Sequence, residues 1–255
     1  MIEIMGTLEA VIAIASFREF LPFYSLPVLE ESKEGYMEAE EVYHPMIPQA
    51  VSNSISIKRG ALLTGSNASG KSTFLKTVAI NAILSQTIYT SVSKKYQAPF
   101  FRVYSSMSLR DNLAGNESYY MVEIKALRRI LEALKEKDTP LLSFVDEVLR
   151  GTNTVERIAA SSHILKELNQ KHVLSFAATH DIELTYLLEK EYDNFHFTEE
   201  IKEGDILFSY KLFTGRTQSR NAIKLLELMG YDENIIESAA KCADNFLTTG
   251  QWQMG

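Results

Sequence analysis

Residues 62–75 read LLTGSNASGKSTFL, an apolar run that turns abruptly into glycine and serine and then into a Lys-Ser-Thr step. Gly65 and Gly70 flank four residues and are followed by Lys71 and Ser72. With ordinary residue frequencies that spacing arises by chance in roughly one chain of this length in a hundred. The context sharpens it. ALLT at 61–64 reads as a buried strand, and residues 71–89 read as a helix with Phe74, Leu75, Val78, Ala79, Ala82 and Ile83 on one face. Glycines between a strand and a helix let the backbone wrap so that successive N–H groups point inward at phosphate oxygens, and the helix adds its positive end. Lys71 then sits on the β- and γ-phosphates of a nucleotide, and the Ser72 hydroxyl takes one position on Mg²⁺. The candidate cradle is Gly65, Ser66, Asn67, Ala68, Ser69, Gly70, Lys71, Ser72 and Thr73.

Two further apolar runs, PLLSFVDE and HVLSFAATHD, are short and continuous, as central parallel strands are when both faces are buried. Residues 155–169 between them supply a crossover helix. Strand, helix, strand, helix, strand in that order predicts a mostly parallel sheet with helices on both faces. The first run delivers Asp146 and Glu147 to its C-terminal end, where ligands collect in such sheets. Asp146 can hold Mg²⁺, directly or through water, and Glu147 can orient or deprotonate an attacking water. Alone, an acidic pair ending a strand is more often a cap or a solvated edge; beside a phosphate loop the balance reverses. Thr179 and His180 follow the second run, which suggests a γ-phosphate sensor at His180. His44, His163, His172 and His196 have no metal-ligand spacing and read as structural or surface residues.

The remaining stretches are less specific. Residues 8–20 carry apolar positions at helical spacing and read as a packed helix, ended by the prolines of LPFYSLPV. Residues 36–57 read as edge strands and turns, and FHFTEEIKEGDILFSYKLF as a hairpin around Glu203, Gly204 and Asp205. Two helices close the chain, separated by Gly230, the second capped by Asp232. The expected division is 1–35 as a helical segment, 36–220 as the nucleotide-binding core, and 221–255 as C-terminal helices available for dimerisation. A net charge of −7 argues against a surface that binds nucleic acid throughout. The single cysteine, Cys242, makes no internal disulfide, and no apolar run approaches the roughly 18 residues of a membrane span. A reduced, cytoplasmic protein is the expectation.

Several stretches, in one order, resemble the C-terminal ATPase domain of the MutS proteins, an ABC-type group. YHPMI resembles the His-Pro segment before the nucleotide site and TGSNASGKSTFLKT the phosphate loop with its asparagine at Asn67. DNLAGNESYYMVEI resembles the signature segment, DEVLRGTNTVER the Asp-Glu to Arg-Gly-Thr run, and ATHDIELT the histidine switch. The resemblance implies an α/β P-loop NTPase of ABC type, with a mostly parallel central sheet flanked by helices, a small antiparallel β edge and C-terminal helices. It implies Mg²⁺-dependent hydrolysis of ATP in a homodimer, each nucleotide lying between the phosphate loop of one subunit and the signature segment of the other. By position, Ser118 reaches the γ-phosphate in trans and Asn67 contacts the γ-phosphate or the water in cis. Tyr210 lies against adenine, with the segment around Val51 on its other face. Tyr210 as a strand aromatic packing a core is equally open.

The chain also departs from the family. Ser66 stands where mismatch-repair members usually carry proline, and SSMSLRDNL and LRGT differ from the usual sequence, which implies a divergent branch. The resemblance further implies a fragment of a longer DNA-repair protein, with DNA and repair-protein contacts made by other domains. Recombination in place of mismatch repair, and an ATP-binding dimerisation module with little turnover, are the alternatives. An ABC transporter domain would carry a Leu-Ser-Gly-Gly signature where this chain has AGNESYYMVE.

Overall fold

The structure, a computed structural model, describes residues 1–66, 68–107, 119–202, 205–217 and 222–253. In chain order the elements are α1 (Ile2–Phe20), β1 (Val28–Glu30), β2 (Met37–Val42), β3 (Asn53–Ile57), β4 (Gly60–Thr64) and α2 (Lys71–Ile88). Then come β5 (Lys95–Pro99), β6 (Arg102–Ser106), α3 (Tyr119–Ala133), β7 (Leu141–Asp146), α4 (Thr154–Glu167), β8 (Val173–Ala178) and α5 (Ile182–Leu187). The chain ends with β9 (Tyr192–Lys202), β10 (Asp205–Thr214), α6 (Ala222–Leu228) and α7 (Glu233–Thr249).

Six strands form the main sheet in the order β10-β9-β4-β8-β7-β6. All neighbours are parallel except the β9–β10 hairpin. β4, β7 and β8 alternate their side chains between two cores, and this is why they read as unbroken apolar runs. Leu63, Phe144 and Phe176 face α2 and, beyond it, Met37, Ile55 and Tyr96 of a second sheet ordered β1-β5-β2-β3. Leu62, Val145 and Ala177 face Leu127 and Ile130 of α3 and Leu165 of α4. The sheet is therefore covered on both sides, as the helix-strand alternation predicts.

Phe144 and Phe176, neighbours on β7 and β8, stack with ring centroids 5.4 Å apart and no exposed surface. Phe144→Ala removes that ring from a fully buried position and leaves a cavity. Chemical denaturation should report a loss of about 3–5 kcal/mol.

Two features differ from the sequence expectation. α1 is not a packed helix: it has no buried residue, and Ile4, Leu8, Val11 and Ile12 are each more than half exposed. Its last turn docks: Phe17 packs against the cluster of Leu21, Tyr43 and Val92, and the Arg18 guanidinium donates to Thr90 Oγ1 at 2.9 Å and to the Tyr89 carbonyl at 3.0 Å. An apolar stripe shows that a helix can be buried; here no described element lies along it. In the second sheet β2 is an interior strand, hydrogen-bonded on both sides, rather than an edge, because β5 pairs with it. The C-terminal pair matches expectation, the Asp232 carboxylate capping α7 by accepting from the Asn234 N–H at 2.9 Å.

Candidate nucleotide site

The site grows from the C-terminal ends of three adjacent strands, β4, β8 and β7. After β4 the chain turns through Gly65 at φ +143°, Ala68 at +64° and Gly70 at +112° before α2 begins. A β-carbon on Gly65 would lie 2.8 Å from the Phe197 carbonyl oxygen, so only glycine fits the turn. Lys71, nearly buried, donates from Nζ to the carbonyls of Gly65 at 2.8 Å and Ser66 at 2.7 Å. Burial pulls its ammonium below the ordinary lysine range, while the carboxylates of Glu147, Asp146 and Glu199 partly restore it. The Ser66 hydroxyl donates to Glu199 Oε2 at 2.7 Å, a contact that a proline side chain lacks. Ser72 is half-buried in the cavity wall and Thr73 is exposed at the start of α2.

β7 carries Asp146 and Glu147 to the same end. Asp146 Oδ1 is buried without a hydrogen-bond partner among the described residues, as is Ser69 Oγ. Glu147 has left-handed backbone, φ +56°, fixed by its N–H on the Ala178 carbonyl at 2.9 Å. Its Oε1 lies 3.0 Å from His180 Nε2, and its Oε2 accepts from Arg150 Nη1 at 2.6 Å. His180 follows β8, where the Thr179 N–H donates to the Leu63 carbonyl at 3.0 Å and ties the turn to β4. Arg157 on α4 clamps the next residue, Asp181, with two bonds of 2.8 and 2.6 Å. The Glu147–His180 pairing thus brings together two residues read separately from the sequence.

A cavity of about 510 Å³ is lined by Lys71, Ser72 and Glu147 together with His44, Val51 and Tyr210. His180 and Arg150 line a smaller one that shares Glu147. Tyr210 sits on a bulge of β10 at φ +53°, and its ring would be 3.3 Å from a β-carbon on Gly70. Asn53 holds that bulge, donating from Nδ2 to the Tyr210 carbonyl at 3.0 Å and accepting on Oδ1 from the Leu212 N–H at 2.8 Å. Sequence reasoning missed Asn53 and set His44 aside. A signal for Asn53 exists: in NSISI it shares the buried face of β3 with Ile55 and Ile57. Asn67 and Ser118 lie outside the described residues.

The donor set fits a nucleotide with one hard cation. An ammonium has three N–H donors and the loop carbonyls take two of Lys71's. The described residues hold no cluster of three or more His, Cys, Asp or Glu side chains. Mg²⁺ does not need one, since it is ordinarily held by one or two protein ligands together with phosphate oxygens and water. The partnerless Asp146 oxygen and the Ser72 hydroxyl are the groups that could serve in this way.

A glycine loop at the end of a central parallel strand, with an acidic pair and a histidine on neighbouring strand ends, defines a P-loop NTPase fold of ABC type. Residues 61–247 match the family model of MutS domain V, and the chain belongs to that family. It is 31% identical over 267 aligned residues to a DNA mismatch repair protein MutS of Thermotoga neapolitana, covering 96% of this chain and 32% of that protein. To the protein of the same name from Thermus thermophilus it is 30% identical over 179 residues, covering 70% of this chain and 22% of that protein. The chain thus spans between a fifth and a third of the length of these relatives.

Proposed function

We propose that the chain is the Mg²⁺-dependent ATPase domain of a MutS-related DNA-repair protein. One observation carries the reading: Tyr210, Lys71, Ser72 and Glu147 line one cavity, and Glu147 is paired with His180. Adenine lies between Tyr210 and the Val51 segment, and the triphosphate follows the loop from Gly65 to Thr73. Lys71 donates to the β- and γ-phosphates. Ser72 and Asp146 would hold the Mg²⁺, which would supply positive charge against the negative charge on the phosphate oxygens. Glu147 accepts a proton from the water as its oxygen attacks the γ-phosphorus and ADP departs. Arg150 and His180, on the two carboxylate oxygens, aim the base, with His180 also sensing the γ-phosphate.

Completion of the site in trans by Ser118 makes the working unit a homodimer, with Asn67 acting in cis. ATP then favours the closed dimer to the extent that it binds that form better, and hydrolysis resets it. In the longer protein, closure moves DNA-binding domains, with repair proteins as further partners, in the cytoplasm. Among the described residues no helix is long and apolar enough to cross a membrane.

Phosphate release from ATP with Mg²⁺, abolished by EDTA, is the expected result; tight ATP binding without release under either condition would instead show a binding module. Tyr210→Ala removes a stacking partner worth about 0.5–1.5 kcal/mol. ATP affinity by calorimetry should fall roughly 2- to 12-fold.

A further inference from the structure

Glu123 is a charged side chain that the proposed chemistry does not use, yet it is among the most buried in the protein, 1% exposed. It lies on α3, and its Oε1 accepts the backbone N–H of Leu149; the Arg150 N–H lies near enough to favour the charged carboxylate, and Oε2 is buried without a hydrogen-bond partner among the described residues. Burial pushes its carboxyl above the ordinary range, those two N–H groups pull it back, and the nearby Glu147 charge raises it again. A second contact joins the same two elements. Tyr120, one turn earlier on α3, packs on Gly151 so closely that a β-carbon there would meet its ring at 3.0 Å.

The loop so gripped begins at Glu147. It departs from regular structure twice, at Glu147 (φ +56°) and Leu149 (φ +55°), conformations that cost energy for residues with side chains. Such a loop keeps its shape only when its surroundings determine it. The bond from the Leu149 N–H to Glu123 and the Tyr120 ring on Gly151 do this together, because two attachments to one helix, two residues apart, fix the path of the chain between them.

We infer that Glu123 is a positioning residue, holding the 147–151 loop from α3 so that the Glu147 carboxylate stays aimed between His180 and Arg150. It touches no reacting atom and acts through the peptide N–H of Leu149. The inference rests on the reading of Glu147 as the base. A displacement of about 1 Å in a catalytic group can cost on the order of 100-fold in rate.

The test uses Glu123→Ala and Glu123→Gln in the whole chain, with kcat and KM for ATP and amide hydrogen exchange across 147–151. Alanine should lower kcat by roughly 10- to 100-fold with KM within about 2-fold of the parent. It should speed exchange at Leu149 while core-strand amides stay protected. Glutamine keeps an acceptor oxygen and should restore most of both. A purely structural role predicts raised exchange throughout and no selective loss of kcat, and that result, or unchanged kcat and exchange in the alanine variant, would overturn the inference. Glu147→Gln, run alongside, separates the two claims. If it turns over ATP like the parent, the base assignment fails; the exchange data then decide alone whether Glu123 holds the loop.

Discussion

Glu147→Gln should bind Mg-ATP as the parent does while losing roughly 10²- to 10⁴-fold in turnover, the range associated with a positioned general base. The substitution keeps the side chain's shape. An amide can still present an oxygen to Arg150 Nη1 or to His180 Nε2, which lie 2.6 and 3.0 Å from the carboxylate, so the surrounding loop need not move. What it cannot do is accept a proton from water at neutral pH. In the proposed cycle hydrolysis is the resetting step, so the variant should also accumulate as an ATP-bound dimer, visible by size-exclusion chromatography with light scattering. Turnover equal to the parent's would remove Glu147 from the mechanism.

Lys71→Ala should lose nucleotide binding rather than turnover alone. The ammonium is nearly buried, sits on two loop carbonyls, and has three carboxylates in its electrostatic neighbourhood. Removing it deletes a buried cation at the start of α2 and, in the proposed complex, leaves triphosphate charge facing Asp146 and Glu147. Truncating one side of a buried charged hydrogen-bond pair typically costs about 2–5 kcal/mol. Calorimetric affinity for ATP should therefore drop by roughly 30- to several-thousand-fold. The two variants separate the roles: one binds without hydrolysing, the other does neither. Undiminished affinity in Lys71→Ala, with the fold verified by circular dichroism, would place the phosphates elsewhere.

The parts of this site that were legible in the sequence are local. The phosphate loop declares itself because its glycines and its lysine are needed within eight consecutive positions, and β7 and β8 because burial on both faces leaves no polar alternation. Other parts depend on segments that meet only in three dimensions. KYQAP and RVYSS are short and mixed in polarity; β5 and β6 gain their strand character from neighbours in the sheets, not from pattern. Asn53 and Tyr210 stand 157 residues apart in sequence, and the clamp on the β10 bulge exists only where the two sheets approach. Glu123, in the signature-like segment, looks like any helix-surface glutamate until α3 lies against the loop after β7. The apolar stripe of α1 reads as a burial signal, yet the described residues leave it exposed.

The most direct test of the account is steady-state ATP hydrolysis by this chain as a function of its own concentration, with Mg²⁺ and with Glu147→Gln as the control. A composite site built by two subunits predicts specific activity that rises with protein concentration toward a plateau and is absent in the variant. Specific activity independent of concentration down to the nanomolar range, with the protein monomeric throughout, would contradict it.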